Sequence, residues 1–431
     1  MRHLIVFTLV IASAAVAASA GAEPPPIPQN RQELKQLLEK SKTNAPRLPL
    51  PDLSEAEKQD AAAKSKAGEL FPIVNNRRMR ERYLPQEVIS GGFSRKADPS
   101  MTLDDAYKTM FFWIASRGNN CEYCLGHQES KLTAAGVSED RIAALDGDWI
   151  EFLPAERAAF ALVKKLTIAP HKLTNEDVAA LKSFYNDRQI LEIIFASAGH
   201  NAMNRWTGAL RIPQEEYRRY LTPTADRYRE RPTTLTPATL SSRPALESRE
   251  VVESKLAEAA KRTPRLAPLS EAEARATLPP DAFDAKKPLP QWVRLLANFP
   301  EAGKLRVLMN RGAEESGELD ARLKAEIAWI SARHDRAWYA LGQAKNRLQA
   351  LGRTDDQIFA LDRDDAPDVD AGRRAAYSLA RKLTVAPATI EDEDIAVLRK
   401  HFSDKQVAEI VFQITEAAFF DRLTEAAGLP L

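Results

Sequence analysis

"WIASRGNNCEYCLGHQESKLTAAGVSEDRIAALD" (Trp113–Asp146) and "WISARHDRAWYALGQAKNRLQALGRTDDQIFALD" (Trp329–Asp362) align without a gap over 34 residues, 14 of them identical. The match continues on both sides. "KKLTIAPHKLTNEDVAALKSFY" from Lys164 pairs with "RKLTVAPATIEDEDIAVLRKHF" from Arg381, and "DRQILEIIF" from Asp187 with "DKQVAEIVF" from Asp404. Upstream, "PRLPLPDLSEAE" from Pro46 pairs with "PRLAPLSEAE" from Pro264. A period this long is not a solenoid repeat, so the chain carries two copies of one domain.

Each copy reads as helical. Ile190, Ile193, Ile194, Ala198 and Ala202 recur at helical spacing. "SEAE" at Ser54 and Ser270 and "TDDQ" at Thr354 are capping boxes; Ser138 is a further N-cap. Gly136 and Gly352 stand where a helix would end. Alternating β-branched runs between hairpin turns are missing. The expected fold is all-α, two tandem domains of roughly six to eight helices each at ordinary helix lengths. The expected boundaries are a leader over 1–22, a first domain over 23–225, a linker over 226–250 and a second domain over 251–431. The linker segment "LTPTADRYRERPTTLTPATLSSRPALESRE" is rich in Pro, Thr, Ser and Arg.

The N-terminus has the pattern of a secretory signal. Arg2 and His3 precede an apolar run from Leu4 to Val16, and "AASAGAEPPP" follows with small-x-small cleavage sites. The run is short for a membrane span. The expectation is export, to a compartment such as the bacterial periplasm, with no membrane contact after cleavage. The 61 basic and 60 acidic residues balance to a net charge of +1, which argues against a nucleic-acid partner.

Cys121 and Cys124 are the only two cysteines. In the second copy Ala337 and Ala340 replace them and Gln343 replaces His127, while Trp329, Arg333, Tyr339, Leu341, Gly342 and Leu348 match their first-copy counterparts. Three reactive groups are absent together from a retained scaffold, as expected if they serve one function. The short loop between the cysteines gives a disulfide little entropic stabilisation, so the pair is poorly explained as a staple. Residues three apart share a helix face. If the pair begins a helix, the N-terminal N–H groups and the dipole favour thiolate at the first position. A nearby histidine can move the thiol proton. Zinc would need two more ligands from a thin stock of histidines (His127, His171, His200, His334 and His401), and Leu125 occupies the place that haem attachment reserves for histidine. No cofactor or metal is expected.

"CEYCLGH" after "FFWIASRGNN", followed by "KLTAAGVSEDRIAAL" and "FASAGHNAMNRW", resembles the carboxymuconolactone decarboxylase and AhpD-like alkylhydroperoxidase superfamily, most clearly over residues 70–210. The resemblance implies an all-α fold in which the two copies form a pseudo-dimer, homo-oligomerisation, and thiol-dependent reduction of a hydroperoxide substrate by a dithiol–disulfide cycle with a thiol reductant of unspecified identity. It implies that Cys124 attacks the peroxide and Cys121 resolves the sulfenic acid. Two positions depart from the family pattern. Gln128 stands where redox members have histidine, and Thr109 where they have a relay glutamate. On a helix, position 128 lies about 20° from Cys121 and His127 about 120° away. His200 is the candidate substitute in proton relay; Asn201, Asn204 and Arg205 are candidates to border the site. Two other classes stay open: a non-catalytic helical interaction module whose cysteines form a fixed bridge, and a lactone-processing enzyme that ignores them.

Overall fold

The computed structural model describes residues 26–66, 74–92, 98–280, 282–363 and 369–431. The leader expected over 1–22 lies outside the described residues. Among those residues the regular structure is helical throughout. In the first copy the helices that position the site are α1 (Arg31–Lys40), α2 (Asn75–Tyr83), α3 (Gln86–Gly92), α4 (Asp105–Gly118), α5 (Glu122–Ala134), α6 (Pro154–Ile168) and α7 (Asp187–Ala209). In the second they are α8 (Arg249–Ala260), α9 (Ala302–Glu315), α10 (Ala321–Asp335), α11 (Trp338–Ala350), α12 (Ala371–Val385) and α13 (Asp404–Ala427). With the shorter helices, each copy holds ten among the described residues rather than six to eight. The excess comes from one- and two-turn pieces such as Glu139–Ala144 and Asn175–Ala179, each begun by its own cap.

The caps stand where the side-chain chemistry predicts. Ser270 and Thr354 form reciprocal capping boxes with Glu273 and Gln357. Ser54 and Glu57 exchange the same pair of bonds, and Ser138 accepts from Arg141 N. Gly136 and Gly352 hold φ of 78° and 81°, the left-handed conformation that ends a helix most cheaply without a side chain.

One buried contact fixes the same frame in both copies. Trp113 donates from Nε1 to Asp146 Oδ1 at 2.8 Å, and Arg117 Nε reaches the same oxygen at 3.1 Å. Trp329 donates to Asp362 Oδ1 at 3.0 Å, with Arg333 Nε 2.9 Å from Oδ2. This ties α4, and likewise α10, to the loop two helices on. α4 and α5 are then joined by a turn of three residues. Asn120 takes φ 50°, and Cys121 N donates to Ser116 O at 2.9 Å. Asparagine tolerates this left-handed backbone better than most residues. Arg336 takes φ 52° at the same place between α10 and α11.

The two copies share their cores. Met79, Tyr83 and Val88 of α2 and α3 are buried in the cluster built mainly from the second copy. Trp292, Val293 and Leu296 of the short helix Gln291–Leu296 are buried in the cluster of the first. The long helices α7 and α13 pack on each other, as do α3 and α9. Gly312 of α9 admits this approach: a Cβ there would stand 3.1 Å from the Glu87 backbone.

Polar contacts across the halves are reciprocal. Arg205 of α7 donates to Thr384 O at 2.8 Å, and Arg422 of α13 to Leu166 O at 2.9 Å. Arg47 clamps the carbonyls of Gly208 and Ala209 and reaches Asp392 at 2.7 Å; Arg265 clamps those of Glu425 and Ala426 and reaches Asn175 at 2.7 Å. The 226–250 segment is an irregular crossover held to the surface, with Thr234 N donating to Asp146 O at 2.8 Å and Arg243 bonded to Asp335.

Replacing Asp146 by alanine leaves Trp113 Nε1 and the Arg117 guanidinium buried without their shared acceptor. The expected loss is about 3–5 kcal/mol of unfolding free energy, read from urea denaturation. A loss below about 1 kcal/mol, the scale of an ordinary surface change, would remove this contact from its framing role.

Candidate active site at the start of α5

Cys121 is the N-cap of α5: its Sγ accepts from Cys124 N at 3.4 Å. The two cysteines are not bonded to each other, and each is 2% exposed. They converge on one hydroxyl. Thr207 Oγ1, on α7, lies 3.0 Å from Cys121 Sγ, 3.2 Å from Cys124 Sγ and 2.9 Å from Met203 O. Its single proton can therefore swing from a backbone carbonyl to a thiolate.

The two thiols titrate in opposite directions. Burial alone would push Cys121 up, but hydrogen bonds from Cys124 and Thr207, the Cys124 N–H and Asn204 outweigh it and bring its pKa below the usual thiol value. Burial pushes Cys124 well up, and the hydrogen bond and charge of Cys121 add to that. The thiolate thus belongs on Cys121, as expected at a helix start. The resemblance implies the opposite order, with Cys124 attacking.

Asn119 and Asn204 complete the polar side of the pair. The Asn119 amide donates to Asn201 and Asn204 at 3.0 Å, and Asn204 lies 2.9 Å from Ser116 Oγ. In the second copy the corresponding residues are Asp335 and Asp421, both buried. Neutral amides tolerate a thiolate beside them; paired carboxylates would repel it. The thiol pair and the amide pair occur together in one half.

His127 is directed elsewhere. Its Nε2 lies 2.9 Å from Glu215 Oε2, and Arg218 approaches Nδ1 at 3.1 Å. The carboxylate selects the Nε2–H tautomer and leaves Nδ1 to accept. Burial holds the His127 pKa down to about 4, so the ring is neutral at neutral pH. Burial would raise Glu215, but His127, Arg218 and Tyr123 keep it ionised. Tyr123 donates to Glu215 Oε1 at 2.7 Å and packs its ring on His127. The expected handling of a thiol proton by His127 does not fit this arrangement; the imidazole instead anchors the segment after α7 across α5. Gly126 makes room for that strap: a Cβ there would stand 2.3 Å from Gln214 Nε2. Gln214 in turn donates to the carbonyls of Glu122 and Tyr123.

The other expected residues separate. Gln128 is buried, and its Oε1 has no hydrogen-bond partner among the described residues. Thr109 bonds back to Asp105 O within α4. Asn201 donates to Thr167 Oγ1 and Ser197 O. Arg205 serves the contact between the halves. His200 stacks on Phe112 with centroids 4.1 Å apart, and burial brings its pKa down to about 3. Sequence reasoning does not single out Thr207, Glu215 or Arg218. Thr207 carries one signal, its pairing with Thr424 in the repeat.

Two cavities are lined by neighbours of the pair rather than by the sulfurs themselves. One, of about 450 Å³, is lined by Thr207 and Tyr123. The other, of about 320 Å³, is lined by Phe112, His200, Met203 and Arg80. The corresponding cavity of the second copy, lined by Ala328, Ala417, Phe420 and Ala340 (the counterpart of Cys124), measures about 40 Å³. Among the described residues no group of three or more His, Cys, Asp or Glu is arranged to hold a metal ion, and no helix is long and apolar enough to cross a membrane.

No protein-family model matches this chain, and no curated protein sequence matches it either.

Replacing Thr207 by valine removes a donor to Cys121 while keeping the shape. The Cys121 titration should move up in pH, lowering the thiolate fraction at neutral pH, and Thr207→Ser should restore it. Ultraviolet thiolate absorbance against pH measures this; an unmoved titration in Thr207→Val would contradict the role given to the hydroxyl.

Proposed function

We propose that the chain is a thiol-dependent peroxidase or thiol–disulfide oxidoreductase of the AhpD-like type, working through Cys121 and Cys124. The observation that carries this is the pair of buried cysteines at the start of α5, sharing the Thr207 hydroxyl and shifted in opposite directions. A fixed bridge has no use for such a division of proton affinity; a nucleophile and its resolving partner do.

Cys121 thiolate attacks the terminal oxygen of a hydroperoxide. The O–O bond breaks, the alkoxide leaves and takes a proton from water, and Cys121 becomes a sulfenic acid. The Cys124 sulfur then attacks that sulfur. An S–S bond forms, and hydroxide leaves and combines with the Cys124 proton as water. Two electrons from an external thiol reductant restore the dithiol. The cavity beside Phe112 and Met203, whose wall also carries Phe195, Met309 and Phe419, suits the organic group of a hydroperoxide.

In this proposal the second copy is a degenerate partner that completes a pseudo-dimer with the first. The reciprocal Arg47/Arg265 and Arg205/Arg422 contacts support that role. The N-terminal apolar run supports export. The AhpD-like resemblance supports further homo-oligomerisation.

Peroxide consumption with dithiothreitol should be present in the wild type and lost in Cys121→Ser. Cys124→Ser should consume about one equivalent of peroxide and stop as a sulfenic acid trapped by a dimedone-type reagent. The oxidation rate should fall as pH drops through the Cys121 titration, whose midpoint lies below the free-thiol value of 9.0. Trapping on Cys124 in a Cys121→Ser protein, with none on Cys121 in the converse variant, would reverse the roles. No consumption by any form would reject the peroxidase.

A further inference from the structure

The cavity of about 320 Å³ is walled by both copies. Arg80, Phe112, His200 and Met203 come from the first; Arg306 of α9 and Glu416 and Phe419 of α13 come from the second. The second copy holds no thiol, yet it closes the cavity nearest Met203 and the thiols' shared threonine.

The charges of this lining do not cancel. Arg306 stands 2.8 Å from Glu416 and lays its guanidinium 3.5 Å over the Phe419 ring. Arg80, 6% exposed, lies over the Trp206 and Phe412 rings at 5.5 and 5.9 Å and donates to Met203 Sδ at 3.7 Å. Burial brings its pKa down to about 9, which leaves it charged at neutral pH. Burial keeps His200 neutral there, and every other described lining residue is uncharged. Two cations thus face one carboxylate among the described lining residues. The repeat supplies a control. At the places of Arg80, Arg306 and Glu416 the other copy carries Leu296, Ser90 and Gly199. Like the thiols, these three charged groups are present once.

The rest of the wall is apolar and aromatic. Phe195 meets Phe419 edge to face with centroids 5.8 Å apart, and Phe112 stacks on His200. Such a lining matches an organic group with one anionic end, its ring or chain on the aromatics and its carboxylate on a guanidinium. The volume falls within the range of small-molecule pockets. The sulfurs do not line this cavity. Met203 does, and its carbonyl accepts from Thr207 Oγ1 at 2.9 Å, the hydroxyl that both sulfurs share. A hydroperoxide held here reaches the thiols past the unbranched Met203 side chain, which repacks readily.

We infer that this cavity selects a hydroperoxide whose organic group carries a carboxylate, with Arg306 of the second copy as the specificity-determining residue. The inference rests on the peroxidase reading above and names its substrate class. The bonds made and broken are those already given. The carboxylate takes no part in them and stays on the alcohol product.

Two pairs of probes test this on the full-length protein. Cumyl alcohol and its para-carboxylate, the unreactive product alcohols, report binding by isothermal titration calorimetry. Cumene hydroperoxide and its para-carboxylate report the rate of oxidation of the reduced cysteines. The anionic alcohol should bind about tenfold more tightly than the neutral one, which corresponds to about 1.4 kcal/mol. The anionic hydroperoxide should react about tenfold faster at subsaturating concentration. Arg306→Met should remove both preferences while the neutral alcohol still binds. Arg306→Lys should retain part of them, since the charge remains and the planar fork is lost. Equal affinity for the two alcohols in the wild type, or a preference that Arg306→Met leaves intact, would overturn the inference. Oxidation by both hydroperoxides at equal rates would overturn it too, while leaving the peroxidase proposal standing. Oxidation by neither would reject the peroxidase proposal and the substrate class with it, whatever the alcohols show.

Discussion

The turn between α4 and α5 is the constraint from which the site follows. Trp113 and Arg117 hold α4 to Asp146, and Asn120 in the left-handed conformation reverses the chain at once. Cys121 therefore caps α5 with its sulfur and Cys124 falls one turn on, facing the same hydroxyl of α7. Lengthening the turn would move the sulfur off the helix axis, away from the N–H groups and dipole that favour its charge. The same turn in the second copy carries Ala337 and Ala340, so the geometry exists independently of the chemistry.

The comparison between halves separates scaffold from site within one molecule. Retained in both are the Trp–Asp–Arg contact, the left-handed turn, the close-packed glycine at 126 and 342, and the threonine at 207 and 424. Changed together are the two thiols, the amides Asn119 and Asn204, and residues around the cavity beside Phe112, His200 and Met203, where the second copy has Ala328, Ala417 and Phe420. A thiolate needs neutral donors and an approach path; an alanine needs neither.

Much of the fold is legible in the amino-acid sequence. Caps and left-handed glycines act within a few residues, so Ser270, Thr354, Gly136 and Gly352 can be read locally. The exchange of α2, α3 and Gln291–Leu296 between the cores cannot, because burial there is decided by contacts far apart in sequence. The site divides the same way. Cys121 and Cys124 stand out by their spacing and by their absence from the repeat. Glu215 does not, since it meets His127 from 88 residues away. That partner also explains why the histidine at 127 rather than 128 fails to attend the thiols: it is held by the strap that Gly126 admits.

The most direct test of the account is the equilibrium reduction potential of the Cys121–Cys124 pair, read by thiol alkylation and mass spectrometry across dithiothreitol redox buffers. A working redox pair is predicted to interconvert fully and to lie above about −300 mV. A potential below that value, or a pair that never leaves one state, would contradict the dithiol cycle and favour a helical interaction module with a fixed bridge.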